Sequence, residues 1–234
     1  MQYLENSLLS LRAVHYTLKR PTGGPEIQLF PMVHIASASF YEQVRSRLQR
    51  CDAILYEGVS SLKVRILTFA YRLVARRKRL DLVCQSESLR LKSLQSRLVH
   101  GDVSSLEFNT QWSRIPVRQR LMLAVAAPLY GAYLYLTATR ESIGRHLSLD
   151  DQSSRDEALR REDSEAIDQA IVSARDIKLL SRLEALLSTE PSCQTIGILY
   201  GAGHMPAVTD LLMEKYRYRV SASEWLDVFD YGPT

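Results

Sequence analysis

The stretch TIGILYGAGHMPAV, residues 195–208, constrains this chain more than any other because its rhythm changes midway. The first half is rich in β-branched and aromatic residues without alternation, which suits a strand covered on both faces. Beyond it Val208, Leu211 and Leu212 return at helical spacing. Between the two stand Gly201 and Gly203, whose missing Cβ atoms permit conformations and close approaches that a side chain forbids. The chain is expected to turn sharply there, from strand into helix. Pro206 suits the first helical turn, where its absent N–H is not needed, and the free amides of that turn favour a negative charge. His204 is then held at the mouth of a sheet.

The rest of the sequence supplies more units of this kind. Residues 13–18 and 27–34 read as strands joined by the turn-rich RPTGGPE, a hairpin or neighbouring pair. A helix is expected over 40–51, with Val44, Leu48 and Cys51 on one side, then a strand over 53–56 and another over 80–84. Residues 86–114 read as helical pieces and loops. The charges alternate in sign over 150–168, as on an exposed helix laced with ion pairs. From 167 the positions Ala170, Ile171, Ala174, Ile177, Leu180, Leu183 and Leu187 track an amphipathic helix to about Ser188, and Pro191 breaks it. Two short strands, 218–220 and 228–229, close the chain. The fold expected is α/β: a mixed central β-sheet flanked by helices, with a mostly helical middle region over about 86–190, in one domain spanning 1–234.

A chain of 234 residues, 46% hydrophobic and 24% charged, is long enough to bury a substantial core and is not disordered. Cys51, Cys84 and Cys193 are widely spaced, odd in number and outside any Cys-x-x-Cys pattern, which favours a reduced cytoplasmic compartment. The N-terminus lacks the charged start and apolar core of a signal peptide. Much of the net charge of +4 sits between Lys63 and Arg79, where seven basic residues and no acid accompany apolar residues at helical spacing. This is an amphipathic helix with a basic face; no basic patch is interleaved with aromatic residues, so no nucleic-acid partner is expected. Residues 121–139 carry no charge and reach the lower range for a membrane span. Pro128, Gly131 and three tyrosines suit a kinked helix or helical hairpin instead. A single crossing would also place the first half of the chain and GAGH on opposite sides of a bilayer. The segment is therefore read as buried or partner-facing, a route to an oligomer, with peripheral membrane contact as the alternative.

Three apolar runs each end in a group that can bind metal or move protons: FPMVH at His34, AILYE at Glu57 and ILYGAGH at His204. A fourth, LVCQ, ends in the amide of Gln85. Carboxyl ends of parallel strands share one edge of a sheet, so these distant residues can line one pocket. Two imidazoles and a carboxylate make a ligand set for a divalent metal; without metal, Glu57 and a histidine can serve as a general acid/base pair on water. Spacing does not choose between them. His15 inside a strand, His100 before Gly-Asp and His146 in a polar loop read as structural or surface residues.

The order PMVHIAS, ILYEGV, the pair Arg175-Asp176 and YGAGHMPAV resembles the TraB/PrgY/TIKI family, from about Ala13 to the final strand. That family belongs with a wider group of erythromycin-esterase-like and ChaN-like proteins. Its pattern has two Gly-x-x-His motifs with a glutamate between them. Carried over, the second falls on Gly201 and His204, the glutamate on Glu57 and the first histidine on His34, with Pro31 in place of the first glycine. The resemblance implies a hydrolase-like site: a metal-dependent peptidase using Mn, Co or Zn held by His34, Glu57 and His204, acting on a peptide or other small substrate. Arg175 would hold a substrate carboxylate or brace Glu57, with Tyr200, Gly201, Gly203 and Gln85 around the substrate. The alternative it carries is a protein that binds a peptide, a haem or an iron compound without turnover.

Overall fold

In a computed structural model, which describes residues 1–59, 61, 64, 68–156, 172–189 and 193–232, the expected hairpin opens the fold. A short strand β1 (Leu4–Asn6) precedes β2 (Ser10–Lys19), and β3 (Glu26–Met32) returns antiparallel to β2. In the turn between them Gly23 and Gly24 take φ of 83° and 115°, left-handed backbone that a side chain disfavours. After β4 (Ile35–Ala36), the Ser37 hydroxyl accepts from the Phe40 amide and caps helix α1 (Ala38–Leu48). Then come β5 (Ala53–Tyr56), α2 (Phe69–Ala75), β6 (Val83–Cys84), the single turn α3 (Gln85–Ser88) and β7 (Leu98–His100). Ser104 and Glu107 cap each other's amides at the start of α4 (Ser105–Arg114), which leads to α5 (Val117–Thr137) and α6 (Arg140–Asp156). The chain ends with α7 (Ala174–Thr189), β8 (Thr195–Gly201), α8 (Met205–Asp210) and β9 (Arg219–Asp230).

Seven of these strands make one mixed sheet, and the fold is α/β. β3, β8, β5 and β7 lie side by side and parallel, so their carboxyl ends share one edge. β2 adds to β3 antiparallel, with β1 beside one half of its length and β9 along its other side. β4 and β6 form a separate two-stranded ribbon. Helices flank the sheet. α1 approaches β8 closely at Gly197, where a Cβ would lie 3.0 Å from Cys51 Sγ and 3.2 Å from Leu48 Cδ2. α7 adds Leu179, Leu183 and Leu186 to the same buried core as Ile54, Leu55, Ile196 and Ile198.

Several sequence expectations need correction. The two short C-terminal strands are one twelve-residue strand, β9, and only Leu226, Val228 and Phe229 in it are buried. An edge strand with so little covered surface carries little hydrophobic signal. The strand expected over 80–84 shrinks to β6, which pairs with β4 outside the main sheet, because Asp81 takes a positive φ of 47° before it. The block 86–114 contains β7, a strand of three residues, too short to show a period. Residues 121–139 fall almost wholly in one helix, α5, with Pro128 inside it, rather than in a hairpin. His146 lies in α6 against Tyr130, not in a loop, and Ile177, expected on the buried side of α7, is exposed. Of the basic helix expected over 63–79, α2 covers only Phe69–Ala75, because the backbone turns extended at Arg77 before a 3-10 turn at Lys78–Leu80; Lys63, Arg65, Ile66 and Leu67 lie outside the described residues, and so do Ala170, Ile171, Pro191 and all of the charge-laced stretch beyond Asp156. Among the described residues no helix is long and apolar enough to cross a membrane.

Candidate active site

The shared edge of the parallel strands gathers Glu57, Arg175, Tyr200, Gly201 and His204, which the sequence singled out, together with two carboxylates that it did not. Beyond β5 the Glu57 amide donates to the Leu199 carbonyl at 3.1 Å, continuing the ladder toward the end of β8. The Glu57 carboxylate then reaches over that end and accepts from the Gly201 amide at 2.7 Å. Gly201 is needed for this approach: its φ is −51°, but a Cβ on it would lie 3.2 Å from Glu57 Oε2 and 3.5 Å from His204 Cδ2. Neither Gly201 nor Gly203 takes a positive φ, so close contact rather than unusual backbone explains the first glycine.

Arg175, in the first turn of α7, donates to the other Glu57 oxygen and to both oxygens of Asp102, at 3.0 Å from Nε and 2.7 Å from Nη2. Asp102 follows β7 directly; its fully buried carboxylate also accepts from the amides of Gly58 at 3.1 Å and Val103 at 2.8 Å. One guanidinium thus joins the ends of β5 and β7 to α7. Burial opposes the charge on Glu57, but the Arg175 guanidinium, then the His204 and His34 imidazoles, outweigh it and hold the carboxyl down to about 2. Burial also opposes the charge on Arg175, and Glu57 and Asp102 more than restore it, raising its pKa further. The Tyr200 phenol, under the Arg175 guanidinium at 5.8 Å, is pushed well up, by burial first.

The residue after Arg175 turns to the second glycine motif. Asp176 Oδ1 lies 2.6 Å from His204 Nδ1, and the His204 ring meets the Tyr200 ring edge-on at 5.0 Å. An ionised carboxylate only accepts, so Nδ1 carries the proton in this pair and a neutral His204 presents a lone pair at Nε2. That is the arrangement of an oriented general base.

His34 stands at the rim of this cluster, within electrostatic reach of Glu57. It follows β3 at the exposed rim, its ring tilted against Tyr71 of α2 at 5.1 Å, and its carbonyl accepts from the Gln85 amide at 3.0 Å. Gln85 therefore starts α3 directly after the β4–β6 ribbon, beside His34, and does not end a main-sheet strand. Pro31, where the family motif has glycine, is accommodated because the β2–β3 pairing covers only Ile27 to Leu29; beyond it no β2 partner asks for the missing donor. Of the remaining histidines, His15 stacks on Phe30 at 4.5 Å, and His100 stands at the same sheet edge, at the end of β7, where its ring meets the Gly58 carbonyl at 2.7 Å.

Among the described residues no three His, Cys, Asp or Glu side chains gather at ligating spacing, and both Glu57 oxygens are engaged, one by a guanidinium. His204, its Nδ1 held by Asp176, leaves Nε2 to ligate a metal or to act as a base. Compared with family models, curated proteins and solved structures, the chain matches none.

Asp102 and Asp176 are the residues that sequence reasoning missed. Asp102 ends a short strand as His34, Glu57 and His204 end longer ones, and the only signal for it was Leu98-Val99-His100 running into Gly-Asp. Asp176 was visible only as the neighbour of Arg175.

Proposed function

We propose that the protein is a hydrolase of peptide or other small acyl substrates, with His204 as general base and Asp176 as the residue that orients it. The observation that carries this reading is the 2.6 Å contact from Asp176 to His204 Nδ1, at the carboxyl edge of four parallel strands. His204 Nε2 takes a proton from water as the water oxygen forms its bond to the acyl carbon; as the bond to the leaving amine or alkoxide breaks, the imidazolium returns the proton to it. Glu57, Arg175 and Asp102 act as positioning residues, fixing the strand ends on which His204 stands. The resemblance to the TraB/PrgY/TIKI family supports the same reaction class and implies a divalent ion, for which His204 Nε2 would be a donor.

The test is turnover of p-nitrophenyl acetate and of a quenched fluorescent peptide library by the purified protein, beside His204→Ala and Asp176→Asn. Turnover lost in His204→Ala and kept after EDTA supports the reading. Activity lost to EDTA and restored by Mn, Co or Zn would replace it with a metal-assisted mechanism. Saturable peptide or haem binding without product would make the protein a binder.

A further inference from the structure

The helix pair α2–α5 takes no part in that chemistry and carries a surface of its own. The two helices meet at Gly131, where a Cβ would lie 2.9 Å from Ala70 Cα. Facing away from this contact, Leu121, Met122, Val125, Leu129, Tyr133 and Leu136 are 54% to 75% exposed. At 3.6 residues per turn these six fall within about 120° of arc, a continuous apolar stripe roughly 22 Å long. So large an exposed apolar stripe marks an interaction site.

The stretches of sequence that carry the two helices hold charge of one sign, with Asp81 and Glu141 directly beyond them. No acidic residue occurs between Glu57 and Asp81, or between Glu107 and Glu141. Arg72, Arg76, Lys78 and Arg79 are exposed and have no ion-pair partner among the described residues. Arg77 ties this basic segment to the far end of α5: its guanidinium donates to the Ala138 carbonyl at 2.9 Å and lies 6.0 Å from the Tyr135 ring. Arg118 stands exposed at the near end.

We propose that this face rests on an anionic phospholipid surface, with the α5 stripe in the acyl boundary and the basic residues at the headgroup phosphates. The surrounding charge selects this occupant. A second copy docked stripe to stripe would bring two basic clusters together, whereas a negative membrane surface complements them. The helix lies on the bilayer and does not span it.

Sedimentation with vesicles of phosphatidylcholine, alone or mixed with phosphatidylserine, tests this. The protein should pellet with the phosphatidylserine vesicles at low salt and much less at high salt. Each basic residue near the surface contributes about five-fold, so Arg76→Gln with Arg79→Gln should weaken binding roughly 30-fold. Val125→Glu with Leu129→Glu should abolish it with the thermal midpoint unchanged, since both side chains are exposed. Failure to bind phosphatidylserine vesicles, or equal binding by all variants, overturns the proposal. So does a concentration-dependent dimer that Val125→Glu with Leu129→Glu dissolves, which would give the stripe to a second copy.

Discussion

Asp176 and Glu57 are both carboxylates at the same sheet edge, yet their partners give them different work. Asp176 meets an imidazole and sets its tautomer; Glu57 meets a guanidinium and an amide and is held charged. Asp176→Asn keeps the shape but offers Nδ1 only a neutral amide, so turnover should fall by about 10²–10⁴ while the fold stays intact, as initial rates and a thermal melt would show. Glu57→Gln should act on stability instead. The Glu57 pKa is depressed from 4.5 to about 2, so its contribution is complete above pH 4.5 and is lost as pH falls from 4.5 toward 2. That amounts to roughly 3 kcal/mol, and urea unfolding at pH 3 and pH 7 should show a shallower acid loss in Glu57→Gln than in the parent. Glu57 and His204 were legible because each ends a long apolar run, and Arg175 through the family pattern. Asp102 and Asp176 were not, since one ends a run of three residues and the direction of the other depends on how α7 docks.

At the scale of elements, legibility follows burial. β5 and β8 are covered on both sides, and their runs announce them within a residue of their bounds. β9 forms the sheet's antiparallel edge along all of β2 and shows almost nothing, because a strand with one neighbour needs few apolar residues. α5 is the opposite case: residues 121–139 carry no charge and read as buried or partner-facing, and the structure leaves most of their apolar side chains exposed, with Gly131 as the contact to α2. Gly131→Ala tests that contact. In an isolated helix the change would gain about 1 kcal/mol, but here the new methyl meets backbone, which cannot rotate away. The helices must part, so a net loss of about 1–2 kcal/mol is expected in chemical denaturation.

Across the whole molecule, the site is a product of long-range closure. Arg175 stands 118 residues from Glu57 and 73 from Asp102, and its guanidinium is the cation that both carboxylates share. Forming the network brings β5, β7 and α7 together, so the same three side chains report on assembly of the fold and on support of His204. Arg175→Met removes the cation and leaves two buried carboxylates facing each other, which should cost about 3–5 kcal/mol at pH 7. The pH dependence separates this from a mere packing defect. Without the guanidinium the largest of the groups that oppose burial is gone, so the Glu57 pKa in the folded state rises from its value near 2. The variant then loses less stability than the parent as pH falls from 4.5 toward 2. The stability gap between parent and variant should therefore narrow on acidification, measured by urea unfolding at each pH; a constant gap would mean that Arg175 contributes packing and not charge.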